Sequence, residues 1–271
     1  MSNTNDIKLY NTDEIFALNP DMNINIVSAD GKPILIIDDF YKNPDLVRDL
    51  AINTPIPSTN RSYASGYPGK RGLLGGFIDN KQFYEKVSDI LLKSLDIHHF
   101  VKEGTILDNG GDFIVNVFDS EENISNENRF TLPHTDPSLV ASVIYLNKED
   151  EDPVGTGIYK HKSGYSFKPN NDAHLFWICK QEDDLPHNYM EGLQTVIKSI
   201  DLAEKQGNHV LDGNDEWECI ARSTGAYNQF IGYVAGMFHS PLIDYNIFKD
   251  KNYKRINQVI FWDPSRRYNK W

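Results

Sequence analysis

The chain has 271 residues, 39% hydrophobic and 24% charged, a balance that supports a sizeable buried core and excludes a disordered polypeptide. A formal net charge of −12 repels phosphate backbones and disfavours nucleic acid as a partner. No apolar run approaches the roughly 20 residues that span a bilayer, and two cysteines, Cys179 and Cys219, are too few for a disulfide framework or a four-cysteine zinc site.

The opening Met1-Ser2-Asn3-Thr4-Asn5-Asp6 lacks the basic-then-apolar pattern of a secretory signal, so the expected setting is cytoplasmic. Asn23–Val27 and Pro33–Asp38 read as strands. Asn43-Pro44 reads as a helix start, with Asn as N-cap, Pro at the first helical position, and Leu46, Val47, Leu50 and Ala51 as the apolar face. The run from Tyr67 through Arg71 to Gly72 reads as a surface turn set by Pro68 and Gly69. A binding loop that presents Tyr67 and Arg71 to a cleft is the alternative. Phe83, Val87, Ile90, Leu91 and Leu95 recur at helical spacing, which predicts a helix from about Asn80 to Asp96.

From Asp112 the texture is β. Asp112–Phe118, Phe130–Asp136, Leu139–Asn147, Gly155–Lys160, Tyr227–Ala235 and Arg255–Trp262 read as strands, with an acidic, Asn-rich loop at Glu121–Glu127. One helix interrupts them at about Tyr189–Lys205, with Met190, Leu193, Val196, Ile197 and Ile200 on one face and Gly207 as its stop. The expected architecture is one α+β domain over 1–271, an antiparallel β-sandwich with helices on one side. N-terminal support occupies 1–111, the β core 112–262, and an insertion within it 161–221.

The sharpest chemical signal is Phe130-Thr-Leu-Pro-His134-Thr-Asp136-Pro137. Residues two apart on extended backbone point to one face, so His134 and Asp136 can converge on one ion while Thr135 faces away. A second His from elsewhere completes a 2-His-1-carboxylate facial triad, the arrangement that leaves open positions on non-haem iron(II). The tripeptide alone is common by chance, and the chain offers eight His residues. His98, His99, His161, His174, His187 and His209 all compete with His239. His239 is preferred because an apolar strand delivers it; His174, ahead of Leu-Phe-Trp, is second.

The surroundings of the tripeptide carry a family resemblance. Ser138-Leu-Val-Ala-Ser-Val-Ile-Tyr145-Leu-Asn147, Gly155-Thr-Gly157-Ile-Tyr-Lys160, Gly236-Met-Phe-His239-Ser-Pro241 and Arg255-Ile-Asn-Gln-Val-Ile-Phe-Trp262 follow in order, after a leading Ile34-Leu-Ile-Ile-Asp-Asp-Phe-Tyr-Lys-Asn-Pro44. This series resembles the prolyl-hydroxylase-like branch of the iron(II)/2-oxoglutarate-dependent oxygenases. The resemblance implies a double-stranded β-helix (jelly-roll, cupin-like) core, iron(II) held by His134, Asp136 and His239, and 2-oxoglutarate and O2 as cosubstrates. It implies that Arg255 anchors the distal carboxylate of 2-oxoglutarate, with Tyr145 donating its hydroxyl to the same group. An Arg fork suits a buried carboxylate because it gives two parallel charge-assisted bonds. Asn257, two residues along from Arg255, is a candidate assistant. Asn116, in Asn116-Val-Phe118, is similar to an Asn-x-Tyr strand of several branches, with Phe118 here in place of the Tyr.

The activity so implied is hydroxylation of a C–H bond in a small molecule, amino acid or peptide, with release of succinate and carbon dioxide. The presence of Asp136 favours hydroxylation over halogenation, which in this family needs the carboxylate position vacant. Rival readings are a cupin-type metal enzyme without 2-oxoglutarate and a non-catalytic β-sandwich binding module. A nucleic-acid demethylase is disfavoured by the charge. Arg222 is a further candidate cation for an anionic substrate; substrate identity and oligomeric state are not legible.

Overall fold

The computed structural model describes residues 12–53, 70–73, 80–108, 114–118, 132–181, 188–206, 210–243, 255–266 and 268–269. A short helix α1 (Thr12–Ile15) precedes a hairpin of β1 (Asn23–Ala29) and β2 (Lys32–Asp38). Its two-residue loop, Asp30-Gly31, has φ of 53° and 76°. Two positive φ values match the right-handed twist of the flanking strands, which is why Asp-Gly closes tight hairpins. Both strands run longer than the hydrophobic pattern predicted, up to that turn.

The elements then follow in order: α2 (Pro44–Asn53), β3 (Lys70–Leu73), α3 (Lys81–Ser94), β4 (Leu107–Asp108), β5 (Ile114–Phe118) and β6 (Val140–Tyr145). Next come β7 (Thr156–His161), α4 (Asp172–Gln181), α5 (Tyr189–Gln206), β8 (Trp217–Arg222), β9 (Phe230–Val234), β10 (His239–Pro241) and β11 (Arg255–Pro264). Helix α3 starts within a residue of where its apolar spacing places it, and the Asn80 side chain caps it by accepting from the Phe83 N–H.

Among the described residues the strands form two antiparallel sheets, so the chain is a mixed α+β protein. The larger has the order β1-β2-β9-β6-β11-β5-β3, with β4 also on β11; the smaller has the order β10-β7-β8. Alternation assigns the faces of the larger sheet. On one face Ile144, Ile260 and Trp262 are buried under the helices: Trp262 packs against Phe83 at 6.3 Å and Tyr84 at 6.0 Å. Val47, Leu50 and Ala51 of α2 and Val87 and Leu91 of α3 complete this layer. Each such buried aliphatic or aromatic side chain contributes about 1.5–3 kcal/mol. The opposite face carries Tyr145, Val143 and Ala141 of β6 in register with Asn257, Val259 and Phe261 of β11, and Ala141 also with Tyr233 of β9. That face looks toward the smaller sheet.

Several expectations need correction. Lys70–Leu73 is a strand paired with β5, not a surface turn, and places Arg71 opposite Asn116. Trp217–Arg222 pairs with β7, so the insertion ends before Trp217 rather than at residue 221. The insertion holds two helices, not one. Residues 132–136 form no regular strand; His134 makes an isolated bridge with His239. Arg222 is exposed and its Nη1 lies 2.7 Å from Asp212 Oδ1. Tyr67, Glu121–Glu127, Phe130, His187, Gly207 and His209 lie outside the described residues. No helix among the described residues is long and apolar enough to cross a membrane.

The insertion packs on the smaller sheet through a second core, in which Leu193 and Val196 of α5 meet Tyr159, Trp217, Leu132 and Phe238. The two sheets are also tied at the hairpin tip. Asp30 receives Lys160 Nζ at 2.5 Å and Ser166 Oγ at 2.6 Å, and buried Lys32 lies 3.4 Å away. Burial alone pushes the Asp30 carboxyl upward, but the bonds from Lys160 and Ser166 and the charges of Lys32 and Lys160 outweigh it and hold it below its ordinary value. A depressed folded-state value stabilises the fold above the unfolded carboxyl value, about pH 4, and that contribution fades as pH falls through the folded value. Asp30→Asn keeps a residue suited to positive φ and removes the charge together with one of the two acceptor oxygens. It is expected to cost about 2–3 kcal/mol at pH 7, a Tm drop of roughly 5–10 °C. Thermal melts of both proteins should converge as pH falls below about 4; an unchanged gap at low pH would refute the charge origin.

Candidate metal centre

The site is assembled from two arms. The first is the turn after Leu132, where Pro133 and Pro137 flank His134 and Asp136. The second is the tight connection from β9 into β10, which delivers His239. They are stitched by reciprocal backbone bonds: His134 N–H donates to His239 O, and His239 N–H to His134 O, each at 2.9 Å. The Asp136 N–H donates to Ala235 O at 2.9 Å, at the end of β9. Gly236 in this connection is not replaceable by a larger residue without a shift, because a Cβ there would lie 2.6 Å from Lys168 O.

One ligand-competent atom each from His134, Asp136 and His239 lie within 4.8 Å of one another, so these residues could hold a metal ion. The tautomers are fixed by what the other ring nitrogens touch. His134 Nδ1 lies 3.0 Å from Leu132 O, and His239 Nδ1 lies 2.9 Å from Met237 O. A carbonyl only accepts, so both Nδ1 atoms donate, and Nε2 is the nitrogen that each ring, when neutral, would offer a metal. Such carbonyl partners are what orient imidazoles at metal sites. His239 Nε2 lies 3.1 Å from Asp136 Oδ2, close enough for the two to share a proton or a metal ion. The imidazole of His239 is also walled by His134 at 4.4 Å and Tyr233 at 4.7 Å between ring centres.

The competing histidines separate by their surroundings. His174 is fully buried in α4, with Nε2 3.0 Å from Leu139 O and Nδ1 accepting from the Asn170 N–H, so both nitrogens are used. His161 closes a turn with Ser163 and stacks edge-on to Trp217. Asp96, His98 and His99 form a second group able to hold a metal. It is on the surface, and Asp96 already receives Lys180 Nζ at 2.6 Å.

Arg255, Asn257 and Tyr145 sit on the sheet face that bears Tyr233. Arg255 is 4% exposed and Asn257 2% exposed, so both are interior despite their polarity. Arg71, Asn116, Asn257 and Tyr145 occupy one row of the register across β3, β5, β11 and β6. The Tyr145 hydroxyl donates to Thr156 Oγ1 at 2.7 Å and lies 2.6 Å from Ser223 Oγ. Burial raises its pKa, while Ser223, Thr156 and the charge of Arg255 pull the other way. The Asn257 Oδ1 is buried with no hydrogen-bond partner among the described residues. Thr156 and Ser223 went unnoticed in the sequence. Their only signal was small hydroxyl residues beside the glycines Gly155, Gly157 and Gly225.

Fold and site together define an α+β protein of two antiparallel sheets with a candidate three-residue metal centre where they meet. The chain matches a family of unknown function (DUF6445) over residues 18–256, a span that contains His134, Asp136, His239 and Arg255, and it belongs to that family. No curated protein matches it.

Proposed function

We propose that the chain is an iron(II)- and 2-oxoglutarate-dependent oxygenase with a jelly-roll core, acting on a C–H bond of a small molecule, amino acid or peptide. The observation that carries this reading is the convergence of His134, Asp136 and His239 with both imidazole Nδ1 protons committed to backbone carbonyls. Two neutral imidazoles and one carboxylate are the donor set that suits iron(II) and leaves positions for other ligands. Bound there, iron(II) with 2-oxoglutarate supplies the oxidising chemistry: O2 is reduced, 2-oxoglutarate becomes succinate and carbon dioxide, and one oxygen atom enters the substrate.

The chain's own residues hold and orient. His134 and His239 present Nε2, and Asp136 offsets part of the metal's charge. On the inner sheet face Arg255 supplies the buried cation that a dicarboxylate needs at its far end. The Tyr145 and Thr156 hydroxyls are placed to donate to the same carboxylate, exchanging their bond to each other for bonds to the ligand. Arg255 is what distinguishes this reading from a cupin-type enzyme, which has no second carboxylate to anchor.

The test is direct. Purified anaerobically with iron(II) and 2-oxoglutarate, the protein is expected to show a weak visible charge-transfer band. Admission of O2 is then expected to release succinate, even without substrate, through uncoupled turnover. Absence of both the band and succinate above a His134→Ala control would overturn the reading. Oxygen uptake without succinate would favour the cupin-type alternative.

A further inference from the structure

Residues 166–174, which lead into α4, run beside both ligand-bearing arms. On the His239 arm, Phe238 N–H donates to Ser166 O at 3.2 Å and Lys168 N–H to Gly236 O at 2.7 Å. On the Asp136 arm, three polar side chains take up the carbonyls of Asp136, Pro137 and Leu139. Asn170 Nδ2 donates to Asp136 O at 2.7 Å, Asn171 Nδ2 to Pro137 O at 3.2 Å, and His174 Nε2 to Leu139 O at 3.0 Å. The same residues are locked to one another. Asn171 Oδ1 caps α4 by accepting the His174 N–H at 2.9 Å, and His174 Nδ1 accepts the Asn170 N–H at 3.3 Å. His174 is fully buried, and burial lowers its pKa, which keeps the ring neutral with its proton on Nε2. Asp136 is thereby pinned on both sides of its backbone, at N–H by Ala235 and at C=O by Asn170.

We infer that Asn170 and His174 are positioning residues for the carboxylate arm of the metal centre, and that the head of the helical insertion is a clamp on that centre rather than a lid over it. The inference rests on the metal-centre reading. Its physical basis is tolerance: a ligand set works only within a few tenths of an ångström, and an Asp on a Pro-flanked turn has no regular strand to hold it there. Removing an outer-shell partner of a metal ligand costs roughly 10- to 100-fold in metal affinity.

Cobalt(II) titration of the full chain, followed by its visible absorption, tests this without turnover. Asn170→Ala and His174→Leu are each expected to weaken cobalt(II) binding by roughly 10- to 100-fold. His174→Gln, which restores a donor toward Leu139 O, is expected to recover most of it. Val47→Ala, which trims the far helix layer, should lower Tm and leave cobalt(II) affinity unchanged, separating positioning from stability. If His174→Leu fails to fold, Asn170→Ala decides alone. Tight cobalt(II) binding by the native chain with no loss in Asn170→Ala would overturn the clamp and leave the metal centre standing. Absence of cobalt(II) binding by the native chain would overturn both.

Discussion

Asp136→Ala is expected to weaken metal binding by at least about a thousandfold, beyond the 10- to 100-fold typical of outer-shell partners, and to abolish succinate release. Asp136 is the anionic member of a set otherwise made of two neutral imidazoles, so its loss removes both a donor and the charge that offsets the ion. It is also the cleanest ligand to delete. The His239 side chain is 6% exposed against 15% for Asp136, and its ring is packed between His134 and Tyr233. Trimming His239 would therefore empty part of the core, whereas trimming Asp136 leaves its backbone bonds to Ala235 and Asn170 in place. The Tm of metal-free Asp136→Ala should stay within a few degrees of the native chain, while isothermal titration with iron(II) or manganese(II) shows no heat above dilution. Retained affinity would show that Asp136 is not a ligand.

How much of this was legible in the sequence depended on how local each signal is. The apolar period of α3 is contained within a few turns of chain, and the helix begins where it places it. His134 and Asp136 share one turn, so their convergence needs nothing but extended backbone. His239 needed the pattern of an apolar strand that ends in a polar residue. Helix α4 was missed because it is apolar nearly all round: Leu175 and Phe176 are 43% and 62% exposed while Trp177 and Ile178 are buried, so no single-face period stands out. β8 was missed for the opposite reason, since at the edge of the small sheet only Trp217 in it is fully buried. The polar clamp by Asn170 and His174 was illegible because its partners are backbone carbonyls, which every residue supplies. His174 stood out as a possible ligand; only its neighbours reveal that both of its nitrogens are occupied.

Arg255→Met is expected to raise the 2-oxoglutarate concentration for half-maximal succinate release by about 100- to 1,000-fold, the loss that follows when one partner of a buried charge pair is deleted. Met is chosen because Arg255 is 4% exposed and a shorter side chain would add a cavity cost. The substitution strands nothing at Tyr145, whose hydroxyl keeps Thr156 and Ser223. Arg255→Lys retains the charge without the planar fork and should lose about tenfold. Tyr145→Phe removes one of several donors and should lose a similar factor, about 1.5 kcal/mol, as for a single hydrogen bond to a charged group. Cobalt(II) affinity should remain within about threefold of native in all of them, because none is one of the three proposed ligands and separated sites behave additively. That split between cosubstrate and metal is the decisive readout. If Arg255→Met lowered metal binding and 2-oxoglutarate use together, Arg255 would be supporting the fold. If it changed neither, the far carboxylate would be held elsewhere, and the case for 2-oxoglutarate over another bidentate cosubstrate would lose the residue that distinguishes them.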